Sequence, residues 1–240
     1  INSLTPRKYG GTLSWLAANG KDDEQTDGIA ASEAIEKLDD FANTDTPFFL
    51  AVGFFRPHTP FVAPKKYFDL YEREKIEIPE ISSNYLATLP ELAVKSVRAK
   101  ESQLNLEKER AQEIKEAYYA TISFVDAQVG RILDQLEKSG LDKNTVVVFT
   151  SDHGYHLGEH GHWQKNTLFE NATRVPLIIS APSSENKGVK SISPVELIDL
   201  YPTLMDLTNM NTPEPVSYTH LRAHETPEHR GMRGRGEKKK

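Results

Sequence analysis

The residues best equipped for chemistry lie in one stretch, residues 150–165, which reads Thr-Ser-Asp-His-Gly-Tyr-His-Leu-Gly-Glu-His-Gly-His-Trp-Gln-Lys. Asp152 offers a hard oxygen and His153 a neutral ring nitrogen, so the pair can complete a divalent-cation site whose other ligands come from elsewhere in the fold. Gly154, Gly158 and Gly161 permit turns that a side chain would obstruct, so the stretch, which ends in Trp163 and Lys165, can bring charged groups together. Taken alone, Asp152 and His153 are a strand-ending turn, with the carboxylate capping amides. It is their combination with the glycine-spaced loop that points to a site. His160, His162 and Trp163 are candidate substrate contacts, although each histidine, like His156, also suits a surface position and Trp163 suits packing.

Two further candidates stand outside this stretch. His58 sits in Arg56-Pro57-His58-Thr59-Pro60 and is either a turn residue or a site histidine. Arg174 can pair with an anionic group of a substrate, or form a structural ion pair. His220, His224 and His229 fall in a basic, apolar-poor run near the carboxyl end, and residues 215–240 are expected to be a non-native or disordered tail. They are not counted as a metal cluster.

Elements capable of positioning these groups are visible in the hydrophobic pattern. The apolar run at 146–149 reads as a buried strand ending where the polar stretch begins, and in open α/β sheets ligands bind beyond the carboxyl ends of strands. Residues 48–54, opened by Pro47, and 175–179 read as two more strands buried on both faces. A helix is expected from Asp27, whose carboxylate can cap it, through Ile29, Ala30, Ala34, Ile35, Leu38 and Phe41. A long amphipathic helix is expected from Glu107 to Gly140, with Ile114, Tyr118, Ile122, Val125, Val129, Ile132, Leu133 and Leu136 on its buried face. Pro202 suits the first turn of a last helix, which fades near Met210. Residues 1–21 read as loop, and 61–106 as a long functional connection with short helical pieces. The expected fold class is α/β, a mainly parallel sheet flanked by helices on both faces, over residues 1–214.

Composition narrows the function. A net charge of −6 argues against a nucleic-acid partner, which needs a clustered basic surface. No cysteine is present, so disulfides, thiolate zinc sites and cysteine nucleophiles are excluded within this chain. No apolar run approaches the ~20 residues that a membrane span requires.

With these residues in view, 151–165 resembles the second signature region of the sulfatases, particularly the iduronate-2-sulfatase branch. Residues 48–61, with His58 between its prolines, are similar to that branch's histidine-bearing loop, and Arg174, Val175 and Pro176 also fit. The resemblance runs from about Asp27 to Met210 with the motifs in the family's order. It implies an alkaline-phosphatase-like fold, a calcium ion held in part by Asp152 and His153, and contacts from His58 and Lys165 to the sulfate ester of a sulfated carbohydrate. It further implies export from the cytoplasm. Such chemistry is coherent, because a breaking S–O bond places charge on the leaving oxygen that a cation, a lysine and a histidine can stabilise or protonate.

The sequence departs from the family in its nucleophile. Sulfatases use a formylglycine made from Cys or Ser in a motif with Pro and Arg, and no such motif occurs here. The family's early paired aspartates are also missing. We therefore expect a truncated catalytic domain, with formylglycine supplied upstream, that is inactive alone. A phosphate or phosphonate ester hydrolase of the same superfamily, or an inactive glycan-binding homologue, would share the Ser-Asp-His-Gly turn.

Overall fold

The structure is a computed structural model that describes residues 2–4, 13–185 and 187–211. The tail at 215–240, with its three histidines, lies outside the described residues. The chain divides into two units, Ile1–Asp142 with Thr150–Leu177, and Lys143–Phe149 with Ile178–Lys240. Its class is α/β, as expected. None of the described helices is long and apolar enough to cross a membrane.

The first unit is built on a three-stranded sheet in the order β1 (Asn2–Ser3), β2 (Ser14–Ala18), β3 (Phe61–Pro64). Strands β2 and β3 run parallel, with Trp15 opposite Phe61 and Ala17 opposite Ala63, and β1 is antiparallel to β2. Both β1 and β2 fall where a loop was expected, because five residues of small and apolar character carry too little periodicity to announce a strand. On this sheet lie the single turn α2 (Lys65–Phe68) and α4 (Lys108–Lys138); α1 (Thr26–Ala42) packs against α4, and α3 (Glu91–Arg98) lies earlier in the intervening connection. At ~1.5 Å per residue α4 is roughly 46 Å long. It packs against β2, β3, α1 and α2.

The core gathers Leu13, Trp15, Phe61, Ala63, Tyr67, Phe68, Phe124 and Trp163 around Ala111, Ile114, Ala117 and Ala120 of α4. Burying each of the larger side chains contributes about 1.5–3 kcal/mol. The buried face of α4 overlaps the expected one only in part: Ile114 and Leu136 are buried, Ile122 and Leu133 are exposed, and the alanines, Thr121, Phe124 and Gln128 are buried as well. Small side chains let the sheet approach the helix backbone, so the face is chosen by fit and not by hydrophobicity alone.

The second unit carries β4 (Val147–Thr150) paired with β5 (Leu177–Ser180), and α6 (Leu200–Leu207). The strand ends Thr150 and Leu177 belong to the first unit, as does the single turn α5 (Glu170–Thr173). The strands thus form two small sheets where one had been expected. Residues 48–54 form no strand: their side chains alternate between half-buried and exposed, with Phe49 84% exposed. That alternation is the period of an extended chain. Among the described residues no strand pairs with it.

Asp27 does not cap α1, whose N-cap is Gln25. Its buried carboxylate instead accepts the backbone N–H groups of Phe55 at 2.8 Å and Arg56 at 2.9 Å. Asp27 thereby ties the first turn of α1 to the loop that carries His58. We expect Asp27→Ala to lower the unfolding free energy by about 3 kcal/mol, since hydrogen bonds to a charged group contribute ~1.5–3 kcal/mol each and two donors lose their partner. Urea denaturation of the purified protein measures it, and an unchanged midpoint would refute this role.

Candidate active site

The stretch after β4 folds back on itself. The N–H of His156 donates to the Gln164 carbonyl at 2.9 Å, and that of Gly158 to the His162 carbonyl at 3.2 Å. The tip is a short helical turn at Glu159–Gly161. Gly158 enters it with φ +104°, and a Cβ there would lie 3.2 Å from Pro79 and 3.3 Å from Trp163. This return explains why a lysine twelve residues after His153 ends beside it: Lys165 Nζ lies 2.7 Å from His153 Nε2.

His153 is fixed from its other side. Its Nδ1 lies 2.8 Å from the Gly154 carbonyl, so Nδ1 carries the proton and Nε2 presents a lone pair to the Lys165 ammonium. Asp152 Oδ2 is 3.5 Å from the same Nε2, and the His153 N–H donates to Asp152 Oδ1 at 3.0 Å. Ser151 donates its hydroxyl to the His153 carbonyl at 3.1 Å. Gly154 is required here by contact, because a Cβ would lie 2.1 Å from the Asn171 carbonyl oxygen. Its N–H donates to the Ala172 carbonyl at 2.8 Å, which joins the site loop to α5.

Asp152, His153 and Lys165 are thus brought together as carboxylate, imidazole lone pair and ammonium. Among the described residues, His58 makes no contact with them. It lies exposed in a loop whose Arg56–Pro57 and Thr59–Pro60 peptides are cis, with Nδ1 2.6 Å from the Thr59 carbonyl and its ring 5.3 Å from Phe55. Arg56 braces the loop by donating from Nε to the Val62 carbonyl at 3.0 Å. The two loops nevertheless leave the core side by side. Phe61, three residues after His58, packs edge-on against Tyr155, two residues after His153, with centroids 6.3 Å apart, and both contact Tyr118. These aromatic anchors were missed in the sequence, where Tyr155 read only as part of the loop.

The remaining candidates hold structural places. Trp163 is 2% exposed in the core and accepts the Tyr155 hydroxyl at its carbonyl, 3.2 Å away. His162 is fully buried, its ring 4.4 Å from that of His156. His160, at φ +58°, stacks on Phe169 at 3.8 Å and bonds the Tyr85 hydroxyl. Arg174 donates to Glu170 at 3.3 Å across one exposed helical turn, the ion pair that was its alternative role. Burial pushes His156 down to about 3 and His162 down to about 4, helped by their neighbouring histidines, so both are neutral at pH 7. Thr167 bonds Nε2 of His156 at 2.9 Å and closes the inside of the hairpin.

The donors present suit one side of a cation site. An Asp152 oxygen and the Nε2 of His153, with Nδ1 held by a carbonyl, are a donor pair suited to a divalent ion. Among the described residues no group of three or more His, Asp or Glu side chains could hold one by itself. The pair fits as one side of a site completed by other groups, and its lone pair can serve either the cation or Lys165.

The chain is similar to known proteins in both sequence and fold. The phosphonate monoester hydrolase of Silicibacter pomeroyi matches with a TM-score of 0.75 and 26% identity, over 84% of this chain and 41% of that one. The fold is therefore that of the alkaline-phosphatase-like hydrolases. Residues 5–210 match the family described as Sulfatase, and the chain belongs to that family. A sulfatase of Formosa agariphila is 39% identical over 207 residues, which cover 85% of this chain and 40% of the relative. Human iduronate 2-sulfatase is 34% identical over 236 residues, covering 81% and 42% respectively. The chain spans about two fifths of the length of these relatives.

Proposed function

We propose that the protein carrying this chain hydrolyses sulfuric esters of a sulfated sugar or glycan, with calcium as its cofactor. The observation that carries this reading is the Lys165 ammonium held 2.7 Å from His153 Nε2, the nitrogen that Asp152 Oδ2 approaches to 3.5 Å, in a chain of the sulfatase family. Asp152 and His153 would hold calcium, which when bound withdraws charge from sulfate oxygen. Lys165 supplies a cation whose present acceptor is a neutral ring, so an anionic ester offers it a stronger partner. Arg56 and Asp27 hold the His58 loop. With Nδ1 directed to the Thr59 carbonyl, protonated His58 can present Nε2–H to a leaving oxygen. The nucleophile, a formylglycine, would come from residues outside this chain, which by itself would be inactive. Specificity of the iduronate type and an exported location belong to the same proposal.

The structural match to a phosphonate monoester hydrolase supports a second reading, hydrolysis of phosphonate or phosphate esters at the same site. One assay separates them. The full-length protein should hydrolyse a chromogenic aryl sulfate faster than the matching phosphonate ester, lose that turnover on chelation, and recover it with calcium. Faster phosphonate turnover, or recovery only with zinc, would replace the sulfatase reading with the second one.

A further inference from the structure

Away from the site loops, α4 and the segment at residues 70–77 border an open surface cavity of about 420 Å³, lined by Leu70, Tyr71, Lys75, Glu77, Lys115 and Tyr119 among others. That volume lies in the range of ~300–1,000 Å³ usual for small-molecule sites. The segment is clamped to the helix by polar contacts. Gln112 Nε2 donates to the Ile76 carbonyl at 2.9 Å, and the Tyr71 hydroxyl lies 2.6 Å from Ser123 Oγ. Arg73 pairs with Glu116 at 2.7 Å.

Lys115 is the anomaly in this wall. It is only 9% exposed, yet its Nζ donates to a neutral acceptor, the Glu77 carbonyl at 2.9 Å. Among the described residues no carboxylate pairs with it. Glu116, next in sequence, is already neutralised by Arg73, and Glu72 on the rim is paired with Lys75 at 2.7 Å. An ammonium has three donors, and desolvating one is costly unless its charge is matched. If Lys115 only pinned the segment, a neutral amide would suffice, as Gln112 shows one turn earlier. Beside it, Tyr71 and Tyr119 present tilted rings with centroids 5.5 Å apart, rigid apolar surfaces that also carry hydroxyls.

We propose that this cavity is a binding subsite for an anionic sugar unit, whose carboxylate or sulfate meets Lys115 while the ring lies against Tyr71 and Tyr119. It rests on the glycan reading above for the choice of a sugar. In the lining, Lys115 is the cation that no carboxylate pairs with among the described residues, its Nζ 5.8 Å from the Tyr119 ring centroid, and Tyr71 and Tyr119 supply the apolar faces. Such a subsite, remote from Lys165 in sequence and separate from its contacts, would hold another unit of a polymeric substrate.

Saturation-transfer NMR on the full-length protein tests this with a uronic acid disaccharide that carries no sulfate ester, so binding is read without hydrolysis. The expected result is saturation of the uronate ring, none for the matching neutral disaccharide, and affinity at least about tenfold weaker in Lys115→Met. Lys165→Ala should leave the signal in place, which keeps the result separate from any failure of the sulfatase reading. Lys115→Arg, which keeps the charge, should retain binding. Equal saturation of neutral and uronate disaccharides would overturn the proposal without any variant, as would no binding, loss in Lys165→Ala alone, or full retention in Lys115→Met.

Discussion

In the full-length protein, Lys165→Ala should lower kcat on a sulfate monoester by about 10²–10³-fold, the loss seen when one preorganised charge-stabilising donor is removed from an active site. The thermal midpoint should stay within a degree or two, roughly the scale of a surface substitution. Both halves come from the geometry. Lys165 bonds through Nζ to the His153 ring and lies outside the core cluster, so its removal leaves the hairpin's backbone bonds and Trp163 in place. If the lysine were merely structural, stability would fall and kcat would follow the folded fraction. Steady-state kinetics with a melting curve on the same sample distinguishes the two, and an unchanged kcat would remove Lys165 from the site.

Acid should destabilise this protein through a different part of the same hairpin. His156 and His162 are fully buried and neutral, pushed down to about 3 and about 4 by desolvation first, and then by His162 and His160 beside His156 and by His160 beside His162. In the unfolded chain each would titrate near 6.5. Between those values the unfolded state binds more protons than the native one, so stability is fully present above about pH 6.5 and declines as pH falls. Each histidine contributes a slope of about 1.4 kcal/mol per pH unit, and together they can remove several kcal/mol by pH 4. Urea midpoints at pH 7, 6, 5 and 4 measure it. Replacing His156 with Asn should flatten the curve, and an equally steep decline without that histidine would place the acid sensitivity elsewhere.

The site loop was legible in the sequence because its signals are local. Glycines at 154, 158 and 161 announce turns, and Asp-His after an apolar strand announces donors at a strand end. The turn-back that sets Lys165 against His153 is a consequence of those glycines. Burial of His156 and His162 was not legible, since a polar, glycine-rich stretch gives no sign of which side chains turn inward once the hairpin closes, whereas Trp163 did read as a packing residue. The same limit applies to the sheet. Residues 48–54 carry the composition of a buried strand, but composition reports a tendency to be covered, and pairing depends on partners distant in sequence. Strand β2, with only five residues, is held by register with β3 and by Trp15 in the core, neither of which has a local signature. On α4 the bulky residues marked the buried face only in part: Ile114 and Leu136 are buried, but Ile122 and Leu133 are exposed where the core takes alanines instead. Asp27 shows how a correct local reading, an acidic residue in a helix's first turn, can miss the role: the carboxylate serves the loop at Phe55 and Arg56.

The central claim is that the His58 loop and the Lys165 hairpin, which leave the core side by side at Phe61 and Tyr155, serve one reacting group. A double-mutant cycle tests it most directly. His58→Ala, Lys165→Ala and the double variant of the full-length protein would be compared by kcat/KM on an aryl sulfate. Groups acting on one transition state are strongly non-additive, whereas independent sites add within about 0.5 kcal/mol. The account predicts that each single variant is impaired and that the double variant loses far less than the product of the two losses. Full additivity, or a His58→Ala enzyme with undiminished kcat/KM, would contradict it.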